Sequence, residues 1–155
     1  GLAALKRGEA LLGGDPARLI GPYLLQARLA AVHARAPSAA ATDWKEMAGI
    51  YDQLSLAAPS PVVELSRSIA YSMAYGPGVG LDLLTPLLAT PELQAYAPLR
   101  AAQGDMLERA GRCEEAAAAF EAALPMASNL AERAFLAGRA NRCRKTVSAS
   151  TPEAR

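Results

Sequence analysis

The sequence predicts an all-α protein, built as a right-handed superhelix of antiparallel helix pairs: about three degenerate repeats with flanking helices. Three observations lead there. Of the 155 residues, 52% are hydrophobic but only 5% aromatic; alanine and leucine dominate, β-branched residues are few, and that mix favours helix over strand. Glycine and proline cut the chain into helix-length segments, none of which alternates apolar and polar residues with period two. Related segments recur about every 34 residues.

The elements follow in order. Leu2 to Leu12 reads as a helix, with Leu2, Leu5 and Leu12 on one stripe, ended by Gly13-Gly14. Asp15-Pro16 caps a short turn. Pro22 starts a longer helix to about Ala34, with Leu25, Leu29 and Val32 at helical spacing. The loop 36–41 is small and flexible, and Thr42 caps a helix from Asp43 to about Ala57. Ser60-Pro61 is a cap followed by a first-turn proline, opening a helix to about Tyr75. Gly76-Pro77 breaks it and starts another to about Leu88. Thr90-Pro91 opens a turn, and Pro98 a helix to about Ala110. Gly111 breaks the chain again, and a helix follows from Arg112 to about Ala127. Asn129 and Glu132 resemble a capping box for a last helix to about Lys145. Residues 1–145 are thus expected to form one helical domain, and 146–155 a disordered polar tail.

The repeats become visible when three segments are aligned: Glu46 to Pro59, Gly76 to Leu88, and G-R-C-E-E-A-A-A-A-F-E-A-A-L from Gly111 to Leu124. Met47, Leu81 and Ala116 share one column, with spacings of 34 and 35. Leu54, Leu88 and Ala123 share a second, and Tyr51, Thr85 and Phe120 a third. Gly76 and Gly111 both fall between paired helices. A helix–turn–helix period near 34 is the tetratricopeptide signature. Gly104, Gly111, Ala116, Phe120 and Ala123 fit its alternation of small and large residues: small residues let helices approach, and Phe120 fills the gap between them. In that register the first helices of the pairs line a groove. Val63, Ser66, Arg67, Ala70 and Met73 would face it from the second repeat, and Pro98, Ala101, Asp105 and Glu108 from the third. The lining is mixed and mildly acidic, with no lysine or arginine cluster to clamp a terminal carboxylate.

One ordered set of motifs narrows the reading. G-P-Y-L-L-Q-A-R-L-A-A-V-H-A (Gly21 to Ala34, including Pro22, Tyr23, Gln26 and His33) is followed by T-D-W (Thr42, Asp43, Trp44), Y-D-Q-L from Tyr51, P-S-P-V-V-E-L-S-R-S-I-A (Pro59 to Ala70) and G-P-x-x-G-L from Gly76-Pro77. From about Leu2 to Arg139 the chain resembles the C-terminal, tetratricopeptide-like extension of a group of extracytoplasmic-function (ECF) RNA polymerase sigma factors. The resemblance implies a bacterial, cytoplasmic transcription regulator. In it this domain tunes sigma activity through protein contacts, and DNA is met only through upstream sigma regions absent from this chain. The implied partners are those sigma regions, within the same polypeptide, or RNA polymerase. The absence of an initiator methionine suggests a piece of a longer protein whose first helix links the repeats to the upstream part. Two positions depart from the family pattern: Ser66 stands where asparagine is usual, and Tyr75 where aspartate precedes Gly-Pro. A standalone adaptor binding a peptide from another protein, and a small-molecule sensor, are the alternatives.

Little in the chain suggests catalysis, and no cofactor or metal is expected. His33 is the lone histidine, without a partner in sequence for acid–base work, and reads as a packing or loop-tethering residue. Trp44 reads as packing across the 36–43 loop, and Tyr23 and Tyr51 as core. Glu114-Glu115 and Asp105/Glu108 lie on helices rich in solvated charge, not across a cleft. Glycines 76, 78 and 80 follow a helix, and no Lys-Ser/Thr follows them, so they form no phosphate loop. Cys113 and Cys143 have neither metal nor disulfide-framework spacing and read as reduced thiols. The net charge of +1 leaves no footprint of a nucleic-acid binder over the whole chain. The basic run Arg139 to Lys145 reads as a solvated helix end favoured by the dipole, with an acidic polymerase surface or DNA as its sharper alternative. No membrane contact is expected, because no apolar run approaches the roughly 20 residues a span needs.

Overall fold

A computed structural model describes residues 16–36 and 42–152. These residues form seven α-helices and no strand: α1 (Pro16–Arg35), α2 (Trp44–Ala57), α3 (Pro61–Tyr75), α4 (Pro77–Leu84), α5 (Ala97–Arg109), α6 (Cys113–Ala123) and α7 (Leu130–Ser150), with short 3₁₀ turns at Thr85–Ala89, Pro91–Leu93 and Leu124–Met126. The expected helix Leu2 to Leu12 lies outside the described residues.

Most elements start where the sequence signals say. Ser60 Oγ accepts from the Val63 amide at 3.1 Å, with Pro61 in the first turn. Asn129 Oδ1 accepts from the Glu132 amide at 2.8 Å. The second half of the expected capping box shifts by one residue: the Glu132 carboxylate accepts from the Ser128 amide and hydroxyl, not from Asn129. The α5–α6 corner closes through Gly111 (φ 81°), whose amide donates to the Glu108 carbonyl while Arg112 donates to that of Leu107. That is the paired bonding of a helix ended by a left-handed glycine. Gly76 holds φ 106° and ψ 158° between α3 and α4, a conformation essentially reserved for glycine.

Five boundaries are corrected. There is no break before Pro22: α1 runs from Pro16 through it. Gly21 lacks the Cβ that a following proline ring would crowd, so the helix tolerates the proline at the cost of one hydrogen bond. Asp43, not Thr42, caps α2, its carboxylate accepting from the Glu46 amide at 3.0 Å. The helix after Gly76 ends at Leu84, because Pro86 lacks a donor and tightens the chain into a 3₁₀ turn. Pro125 likewise ends α6 at Ala123. Residues 146–150, expected in a disordered tail, extend α7 instead. Their Thr146, Ser148 and Ser150 hydroxyls each donate to the carbonyl four residues back.

Each helix packs chiefly on its neighbours in sequence, and α3 also meets α5. Three apolar clusters result. Leu25, Leu29 and Val32 of α1 pack with Met47, Ile50 and Leu54 of α2 and Ala70 of α3. Leu65, Leu84, Leu87, Leu93, Leu99 and Met106 form the middle cluster. Ala116, Phe120 and Ala123 of α6 pack with Leu107 of α5 and with Leu136, Ala140 and Cys143 of α7. Two glycines set close approaches. A Cβ on Gly80 would collide with the Ser72 side chain and lie 3.1 Å from Met106 Sδ, and one on Gly104 would lie 2.8 Å from the Phe120 ring. Of the aligned columns, Met47, Leu54, Ala116, Phe120 and Ala123 are buried, Tyr51, Leu81 and Leu88 are half-buried, and Thr85 is exposed. Thr85 leaves the pattern because α4 has already ended before it.

A candidate interaction cleft between three helices

The α3, α5 and α7 helices enclose a cleft of about 410 Å³. Its floor is Ile69, Ala101, Ala102, Met106 and Leu136, with Met73, Pro98 and Phe135 around it and Ser72, Asp105, Arg109, Glu132 and Arg139 supplying the polar lining. Met73 and Phe135 are 39% and 55% exposed, so both apolar side chains stand at the surface.

The charges around the cleft are engaged within the protein. Arg109 donates to Ser72 Oγ at 2.7 Å and to its carbonyl at 2.9 Å, which ties α5 to α3. Arg139 donates to Asp105 at 3.0 Å and to Glu108 at 2.7 Å, and Arg142 to Glu108 at 2.6 Å, which ties α7 to α5. The Arg139 guanidinium also lies over the Phe120 ring at 4.8 Å and the Phe135 ring at 5.6 Å. Burial alone would raise the Glu108 carboxyl, but its two arginine partners hold it below the usual carboxylate range. Burial likewise works against the Arg139 cation, and Glu108 and Asp105 raise its pKa in spite of that.

Of the residues expected in the groove, Met73, Ala101 and Asp105 line the cleft, as does Pro98. Ser66 is half-buried and is not among the lining residues. Val63 and Ala70 turn instead to the α1–α2 cluster. Arg67 also turns away: it donates to Asp52 of α2 at 2.7 Å, and Tyr71 donates to the other Asp52 oxygen at 2.6 Å. Glu64 completes that junction, bonded by Ser55 and Arg67. The donated bond to Asp52 raises the Tyr71 hydroxyl's pKa. Glu108 sits behind the cleft wall as the acceptor for Arg139 and Arg142.

The sequence reading missed Ile69, Arg109, Glu132, Phe135, Leu136 and Arg139 as lining. The last helix carries no repeat column in the sequence, yet Phe135, an aromatic about one turn before the basic run, is the available signal. The reading of that run as a solvated helix end is corrected. It lies inside α7, and Arg139, Arg142 and Arg144 are bonded to Asp105, Glu108 and Glu121.

The remaining motif positions fall on helices, caps and turns. The His33 ring, in the last turn of α1, and the Trp44 ring, at the start of α2, meet edge to face, 6.3 Å between centroids. Gly21 and Pro22 lie inside α1, Gln26 is exposed, Asp43 caps α2, and Gly76, Pro77, Gly104, Gly111, Ala116 and Phe120 make the turns and close approaches given above; the Tyr23 side chain lies outside the described residues. Burial raises the Cys143 thiol. Among the described residues no group of three or more His, Cys, Asp or Glu side chains could hold a metal ion. No described helix is long and apolar enough to cross a membrane.

No family model matches the chain, and no solved structure matches it. It is similar to an uncharacterized protein of Rhizobium meliloti (strain 1021), 40% identical over 131 residues, which are 83% of this chain and 30% of that protein. The chain thus spans about a third of the length of the relative it matches.

Proposed function

We propose that the chain is a protein-interaction module, the C-terminal regulatory part of a bacterial, cytoplasmic ECF sigma factor with tetratricopeptide-like repeats. On this reading it modulates transcription initiation by holding the sigma regions or RNA polymerase, and performs no catalysis. The observation that carries the interaction role is the α3–α5–α7 cleft. Its floor is apolar, Met73 and Phe135 project beside it, and its arginines are already bonded to Ser72, Asp105 and Glu108. A site with its cations engaged favours an uncharged anchor over a phosphate or a carboxylate, and a side chain such as leucine or phenylalanine from a partner segment fits it. The ordered motifs from Gly21 to Leu81 support the sigma-factor assignment. Similarity to under a third of a longer protein supports a module within a larger polypeptide.

Calorimetric titration with separately expressed sigma regions tests the reading. We expect micromolar or tighter binding, weakened at least tenfold by Phe135→Ala or Met73→Ala and unchanged by Leu56→Ala, an exposed leucine on α2. Binding that ignores both cleft variants would move the contact elsewhere on the surface. Unchanged promoter output after removal of this domain from the full-length protein would reject the regulatory role.

A further inference from the structure

We infer that Cys113 and Cys143 form a peroxide-responsive thiol pair, oxidised reversibly to a disulfide that joins α6 to α7. Both are free cysteines, Cys113 half-buried and Cys143 buried. They come together in one part of the fold. Cys143 belongs to the apolar cluster of α5, α6 and α7, and Cys113 packs against that cluster from the first turn of α6. Ala116, one turn further along α6, is buried in the same cluster. Small side chains at a helix contact let the two axes approach. Burial raises the Cys143 thiol, and the negative charges of Glu108 and of an ionised Cys113 raise it further. The last effect is felt because the two sulfurs are near each other.

An open notch gives access to the pair. It holds about 350 Å³ between the start of α6 and the end of α7, and Cys113, Glu115, Thr146, Val147 and Ser150 border it. Cys143, Val147 and Ser150 are spaced 4 and 3 residues apart, on one face of α7. Cys113 therefore stands against the turns of α7 that directly follow Cys143. The carboxylate and hydroxyls of the rim suit a small polar oxidant. Cys113 is the thiol that such an oxidant reaches, and Cys143 is the one held in the core.

Hydrogen peroxide alone balances the chemistry. The Cys113 thiolate attacks one peroxide oxygen, the O–O bond breaks and hydroxide leaves, giving a sulfenic acid on Cys113. The Cys143 sulfur, giving up its proton, then attacks the Cys113 sulfur. The S–O bond breaks and the hydroxyl leaves as water. Two thiols lose two electrons, and one peroxide is reduced to two waters. The new bond pins to α6 the helix that supplies Phe135, Leu136 and Arg139 to the cleft. The inference does not rest on the function proposed for that cleft.

The test treats the reduced, folded chain with hydrogen peroxide and maps its cysteines by peptide mass spectrometry without reductant. An intrachain link between Cys113 and Cys143 that dithiothreitol reverses is expected. Cys143→Ala, which removes the second thiol, should accumulate at least tenfold more dimedone-trapped sulfenic acid on Cys113 than the unaltered chain. Cys113 passing on to sulfinic acid while Cys143 stays free would overturn the inference. So would links that form only between chains, or a Cys113 that peroxide leaves untouched. Should Cys143→Ala fail to fold, the map of the unaltered chain decides alone.

Discussion

A Cβ built on Gly104 would lie 2.8 Å from the Phe120 ring, which is fully buried and has the Arg139 guanidinium 4.8 Å from its centroid. The ring has little room to retreat. Alanine is intrinsically better than glycine inside a helix by about 1 kcal/mol, but overpacking a filled core costs about 1–3 kcal/mol. Gly104→Ala should therefore destabilise the protein, by about 1 kcal/mol when the two terms are set against each other. Gly138 is the contrasting case: it lies inside α7 with nothing within 4 Å of its Cβ position. Gly138→Ala should stabilise by about 1 kcal/mol. Urea unfolding of the two variants checks the pair, and shifts of the same sign would refute the packing account. Gly104 and Phe120 were legible as partners because their spacing matched a repeat. The clasp of Arg139 on Phe120 was not, since no local pattern reports that an arginine from the next helix, far downstream in sequence, will lie over a ring.

The ion pairs between α5 and α7 act at the scale of elements. Glu108 accepts from Arg139 and Arg142 together, and its side chain is 19% exposed. Its folded pKa lies below the ordinary carboxylate value of 4.5. A depressed folded pKa contributes stability that is fully present above the unfolded value and is lost as pH falls through the folded one. Stability should thus decline as pH drops from about 5 toward 3, with the more exposed pairs at Glu115 and Glu121 adding smaller terms in the same direction. Glu108→Gln should lower stability by about 1–3 kcal/mol at neutral pH and flatten the acid slope. Melting temperature against pH for the two proteins checks this; parallel slopes would refute it. Helix existence and capping were legible because they depend on neighbours in sequence: Ser60-Pro61, Asn129 and Gly111 each act within four residues. The cleft was only partly legible. Repeat register identified Met73, Ala101 and Asp105, whereas Val63, Arg67 and Ala70 share the same helix yet turn toward α2, where Asp52 and the α1–α2 cluster compete for them. The α7 wall was hidden because that helix shows almost no amphipathic pattern: salt bridges, with a thin apolar seam of Leu136, Ala140 and Cys143, hold it down.

Over the whole molecule, contacts run mainly from each helix to the next, and the apolar residues divide into three clusters along the chain. A protein connected this way has stability that approximates a sum of local units and interfaces, so a lesion in one cluster need not open the others. Leu29 is 5% exposed in the α1–α2 cluster, remote in sequence from the Phe120 cluster. Leu29→Ala removes about 2–5 kcal/mol of packing. Amide exchange should accelerate in α1 and α2, and much less in α6 and α7, where Phe120 and the Glu108 pairs are untouched. The binding proposed for the cleft made by α3, α5 and α7 should be unchanged in the same variant. Uniform acceleration from α1 to α7 would instead mean one cooperative unit. In that case the middle cluster of Leu65, Leu84 and Met106 transmits the loss, and α1 would be coupled to the cleft through α3, whose Ala70 packs with α1–α2 while its Ile69 and Met73 line the cleft.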